Sequence, residues 1–136
     1  MSVQRIEKAC KKTKRPSLAV LDSEFSKWIK ARDNYTCQRC RREHATNSCG
    51  LHNSHYIGRS NRTVRWDPEN CDAMCNGCHG WMEARKPTDY RDWKIAQLGE
   101  AGHDALLVRS RPVKKWTPDE LIELRAGWKS SQKETG

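Results

Sequence analysis

The sequence has no apolar run approaching the ~20 residues that a membrane-crossing helix requires. Its opening stretch, MSVQRIEKACKKTKRP, has no apolar leader segment. A soluble, cytoplasmic chain is therefore expected, neither exported nor anchored in a membrane. Acidic residues are scarce: 17 Asp and Glu stand against 26 Lys and Arg, a formal net charge of +9. A surface so short of negative charge takes a polyanion as its default partner, most often nucleic acid. Apolar residues make up 35%, with one phenylalanine, and the mean hydropathy is −1.00. There is no internal repeat, no low-complexity tract, no helix-turn-helix pattern and no βαβ pattern.

What is present is cysteine, in an odd number. The seven are Cys10, Cys37, Cys40, Cys49, Cys71, Cys75 and Cys78. An odd count argues against a fully paired disulfide framework, and clustered thiols in a reducing compartment more often hold a metal. Two C-x-x-C turns, Cys37-Gln-Arg-Cys40 and Cys75-Asn-Gly-Cys78, supply four thiolates for a closed tetrahedral zinc site. The 34 residues between them leave room for a two-stranded excursion that returns to the metal. Cys10, Cys49 and Cys71 read as ordinary thiols.

The first sixteen residues hold six basic side chains against Glu7 alone and read as a flexible basic arm. Leu18, Leu21, Phe25, Trp28 and Ile29 predict a helix over 17–34, capped by Ser17 or Asp22. Leu51 to Ile57 predicts a short strand and Cys71 to Cys75 its return. A helix is expected from Asn76 to Arg85, another from Thr88 to Gly99, and a short one over 102–108. Thr117-Pro118-Asp119-Glu120 is a strong helix start, with the helix expected through Trp128 and a frayed tail over 131–136. Most of the six tryptophans, at 28, 66, 81, 93, 116 and 128, are expected in the core. His44 and His103 read as surface residues, and Asp89 and Asp92 as solvated helix positions.

Between the thiol pairs lies the run Leu51-His52-Asn53-Ser54-His55-Tyr56-Ile57-Gly58-Arg59, followed by Asn70 and then Cys78-His79. Here the sequence resembles the HNH endonuclease family, with its ββα-metal fold. In that family a His ends the first strand, an Asn lies near the second, and a His or Asn sits on the following helix. Those positions fall on His55, Asn70 and His79. The likeness covers about residues 37–83, and the run from Lys86-Pro87 to Leu98-Gly99 looks like the phage NinG/Rap recombination nucleases.

The resemblance implies an α+β fold, a ββα-metal core over 37–86 flanked by N- and C-terminal helices, within one nuclease domain spanning 17–130. It implies a metal-dependent DNA endonuclease of phage or prophage origin, in the cytoplasm of a bacterial host. Phosphodiester hydrolysis needs a base for water and a cation to stabilise charge on the phosphorus centre and the leaving oxygen. His55, titrating near neutrality, suits the base. Asn70 supports the site, His79 suits a ligand for Mg²⁺, Mn²⁺ or another divalent ion, and Arg59 suits the scissile phosphate. The family commonly places an Asp or His just before the base, where this chain has Ser54. His52, on the same strand face as Ser54, is the preferred substitute ligand, and Glu83 the other.

Arg59, Arg62 and Arg65, with Trp66 among them, offer a phosphate-binding surface, extended by Arg109, Arg111, Lys114 and Lys115. Such charge positions a backbone and reads no sequence, so sequence preference is expected to be weak. DNA is the expected partner, with a homodimer and other phage DNA-processing proteins as further candidates. The rival readings are a non-catalytic zinc-containing DNA-binding protein and a nuclease specific for branched DNA.

Overall fold

The computed structural model describes residues 15–82 and 87–135. The basic arm up to residue 14, Cys10 and the candidate ligand Glu83 lie outside them. Among the described residues there are four helices and one two-stranded sheet: α1 (Leu18–Arg32), β1 (Leu51–His55), β2 (Cys71–Cys75), α2 (Asn76–Gly80), α3 (Pro87–Ser110) and α4 (Pro118–Thr135). A 3-10 turn, Pro68–Asn70, leads into β2. No described helix is long and apolar enough to cross a membrane.

The chain forms two compact units, one running up to Phe25 and again from Trp116, the other Ser26–Lys115. In the first, Ser17 Oγ caps α1 by accepting from the Val20 N–H at 3.1 Å. Thr117 and Glu120 form the reciprocal capping box at the start of α4: the Thr117 N–H reaches Glu120 Oε1 at 3.0 Å and the Glu120 N–H reaches Thr117 Oγ1 at 3.2 Å. Leu21, Phe25, Leu121 and Trp128 are its buried apolar residues, with the Phe25 and Trp128 rings 5.0 Å apart. α4 continues past Trp128 to Thr135, beyond where fraying was expected.

In the second unit β1 and β2 are antiparallel, with Leu51 opposite Cys75 and His55 opposite Cys71. β1 ends at His55 rather than Ile57, because Tyr56 N–H and the Ile57 backbone are already bonded to Asn70. The helices expected over 88–99 and 102–108 form one run, α3, broken at Gly99 (φ 78°, ψ 162°), a conformation glycine adopts without steric penalty. Side chains of α3 press on one sheet face. Lys94 Nζ donates to Asp72 Oδ2 at 2.6 Å with both side chains 1% exposed, and Gln97 Nε2 donates to Asp72 Oδ1. Arg32 binds the carbonyls of Pro68 and Cys71 and approaches Asp72 at 3.7 Å.

Two expectations are corrected. His103 is buried, not superficial, and its Nε2 shares a 2.9 Å hydrogen bond with the Tyr56 hydroxyl. Of the six tryptophans only Trp66 and Trp128 are buried. Trp81 and Trp93 are half-buried and lie under the cationic groups of Arg39 and Lys94.

Candidate metal centre and histidine cluster

The first thiol turn is shaped by its own backbone. Arg41 sits in the left-handed region (φ 65°), so its N–H turns back to the Cys37 carbonyl at 2.9 Å, while the Cys40 N–H points at Cys37 Sγ at 3.5 Å. The Cys37 N–H is bonded to the Arg42 carbonyl, and the Gln38 N–H ties this turn to Ala73 of β2. Cys75 ends β2 and Cys78 sits in α2, so the sheet itself delivers the second pair. The four Sγ atoms lie within 4.8 Å of one another, and Cys40 and Cys75 are 3.8 Å apart. A tetrahedron with metal–sulfur bonds of about 2.3 Å has sulfur–sulfur edges of about 3.8 Å, so the four cysteines fit a structural metal such as zinc.

Burial raises the Cys37 thiol, but N–H groups of Cys40, Cys75 and Arg39 outweigh it and bring it down to about 7. Burial pushes Cys78 up to about 12, although Arg39 donates to its sulfur at 3.4 Å. Cys71 stands apart: it is buried, and that burial raises its thiol well above the ordinary range. Cys49 is exposed. Neither belongs to the cluster.

The residues of the second constellation fall into two groups of contacts. In the first, the His52 ring stacks on His79 with centroids 5.4 Å apart and planes 19° from parallel, and His52 Nε2 is in close contact with Asn76 Oδ1. Ser54, on the same face as His52, does not look toward this pair. Its hydroxyl is buried against the Tyr90 hydroxyl of α3 at 2.9 Å.

The second group is built on the loop between the strands. His55, 9% exposed, alternates to the other face of β1, and its Nε2 lies 2.9 Å from the Arg65 carbonyl. A carbonyl only accepts, so Nε2 carries the proton and Nδ1 the lone pair of the neutral ring. Asn70, fully buried, clamps that loop. Its Oδ1 accepts from the Ile57 N–H at 2.8 Å, and its Nδ2 donates to the carbonyls of Ile57 (2.9 Å) and Val64 (3.1 Å). Asn70 thus holds the residue next to Arg65, whose carbonyl holds His55.

Among the arginines, Arg65 packs on Trp66, guanidinium to ring centroid 5.7 Å, and Arg65 Nη1 donates to the Arg59 carbonyl. Trp66 belongs to the core. Arg109, expected as part of a phosphate-binding surface, is instead paired with Asp67 and Glu69 at 2.9 Å each. Bonding to Asp67 is the main cause of its raised guanidinium pKa. Sequence reasoning missed the buried Lys94–Asp72 pair and the Tyr90–Ser54 contact. The signal for the first was an acidic residue at a β2 position flanked by Cys71, Ala73 and Met74.

Fold and cluster together define a small α+β protein with a four-cysteine site suited to a structural metal. Residues 2–136 match the family model described as NinG, bacteriophage Lambda NinG protein. The chain belongs to that family. No curated protein and no solved structure gives a significant match.

Proposed function

We propose that this chain is a metal-dependent DNA endonuclease of the HNH type, with weak sequence preference, serving phage DNA recombination. The observation that carries this reading is the His55 ring fixed in one tautomer by the Arg65 carbonyl, on a loop that Asn70 clamps from inside. A general base needs that: one ring nitrogen committed to a carbonyl, the other carrying the lone pair that takes a proton from water. His55 is the base and Asn70 a positioning residue. His79 and His52, already stacked, would hold the divalent ion, Mg²⁺ or Mn²⁺, which when bound supplies positive charge for the phosphate and the leaving oxygen. Arg59, Arg62 and Arg65 would engage the DNA backbone. The four-cysteine site, loaded with zinc, keeps the hairpin and α2 together. A homodimer would turn single nicks into double-strand cuts.

The test is nicking of supercoiled plasmid with Mg²⁺ or Mn²⁺. His55→Ala is expected to lower the rate by about 10²- to 10⁴-fold, the usual worth of a general base, with zinc stoichiometry unchanged. Wild-type-rate nicking by that variant would overturn the assignment. A specific observation favours a second reading, a non-catalytic zinc-containing DNA-binding protein: the position before His55 offers a hydroxyl bound to Tyr90 in place of an ion-binding carboxylate. That reading expects DNA binding without cleavage by fully metallated protein on linear, nicked and branched substrates alike.

A further inference from the structure

Beside the cysteine cluster opens a cleft of about 540 Å³, lined by Arg39, Arg42, His44, Gly50, Asn76 and Trp81 together with the sulfur-bearing residues, and not by His55 or Asn70. A volume of this order accommodates a nucleotide-sized group. Among the described residues, no acidic side chain lines it.

Its cations have distinct roles. The Arg39 guanidinium carbon lies over the Trp81 ring, 3.9 Å from its centroid, and the side chain donates to Cys78 Sγ. It offsets the negative charge of the thiolates and pairs with Trp81 at the side of the cleft. Arg42 is exposed, and its backbone carbonyl rather than its side chain does the structural work, accepting from the Cys37 N–H at 2.9 Å. His44 places its Nδ1 3.2 Å from that same carbonyl, which makes Nδ1 the proton donor. Its other nitrogen lies on the Gly50 side, where a β-carbon would come within 3.8 Å of it. The cleft thus combines a guanidinium–indole pair, an arginine side chain with no hydrogen bond or ion pair among the described residues, and a histidine. This is the chemistry that takes a planar base and its phosphate together.

We propose that this cleft is a second nucleic-acid contact, binding a nucleotide of single-stranded DNA through Arg42 and the imidazolium form of His44 at the phosphate and the Arg39–Trp81 pair at the base. Taking DNA as the polyanion rests on the nuclease reading above. A strand seated here would be a displaced or unpaired one, so the protein would favour DNA with single-stranded character over intact duplex.

The probe is a fluorescein-labelled single-stranded oligodeoxynucleotide, titrated by anisotropy with the full zinc-loaded chain and no added Mg²⁺ or Mn²⁺. Arg42→Glu is expected to weaken binding about tenfold, and Arg42→Gln to lower the slope of log affinity against log salt by about 0.7, one phosphate contact on a single strand. His44→Ala is expected to weaken binding a fewfold. Zinc content serves as the fold check, and the Gln variant keeps the test open should the charge reversal disturb the fold. Unchanged affinity and salt slope in both Arg42 variants would overturn the proposal. So would tighter binding of the same sequence as duplex, or selective binding of RNA. The two readings fail separately: nicking that persists in His55→Ala defeats the nuclease assignment and leaves the cleft standing. His55-dependent nicking with Arg42-independent binding does the reverse.

Discussion

Serine at position 37 is expected to abolish stoichiometric metal binding and to unfold the second unit's hairpin. Structural zinc held by four thiolates contributes on the order of 10 kcal/mol at neutral pH, comparable to the whole stability of a small domain. Cys37 is the residue to choose because it is fully buried and receives its neighbours' N–H groups at the centre of the first turn. Metal content by mass spectrometry and near-ultraviolet circular dichroism, which reads Trp66 and Trp81, check the outcome. A Cys37→Ser variant that keeps native dichroism without metal would show the cluster to be dispensable. Chelation of the wild type should reproduce the loss, and zinc should reverse it. The pH dependence has a definite sign. Cys37 lies below its ordinary value of 9.0, at about 7, so its thiolate supports metal binding fully above pH 9 and loses it as pH falls through 7. Cys78, pushed up to about 12, must surrender a proton to the metal throughout. Metal affinity should therefore fall steadily on acidification.

The second large effect lies at Lys94. With the ammonium and its partner Asp72 each 1% exposed, Lys94→Met strands a carboxylate in the interior. Breaking a buried pair from one side costs about 3–5 kcal/mol. Gln97 and Arg32 remain near Asp72, so the lower end of that range is expected. Adding Asp72→Asn should recover most of the loss, because the uncompensated charge is gone and the amide still meets Gln97. Urea midpoints of the two single variants and the double variant check this. Equal destabilisation by Lys94→Met and by the double change would mean that packing, not charge, dominates the site.

The parts of this fold readable in sequence are those governed by short spacing. The two C-x-x-C turns, the Thr117–Glu120 capping box and the bounds of β2 each depend on residues within a few positions of one another, and each stands where the sequence put it. The family resemblance drawn on the run after Lys86 agrees with the family match. What stayed hidden depends on partners far along the chain. Nothing near Lys94 in sequence marks it, because its partner Asp72 lies 22 residues earlier. His103 reads as superficial until Tyr56 meets it across 47 residues. The cleft joins Arg39 and Arg42 of one thiol turn to Trp81 beyond the other, a pairing that only the metal site's geometry creates. Asn70 was expected to support the site; its side-chain bonds to both ends of the 57–64 loop were not legible in the sequence.

The Asn70 side chain uses its amide asymmetrically: the oxygen faces an N–H, the nitrogen faces two carbonyls. Spontaneous hydrolysis of this amide would leave a carboxylate of the same outline, still able to accept from Ile57 but repelled by the carbonyls of Ile57 and Val64. The loop would spring open with hardly an atom displaced in the chain's covalent frame. Burial and the surrounding hydrogen bonds shield the amide while the fold is intact, so ageing damage at this position would follow unfolding and then prevent its reversal.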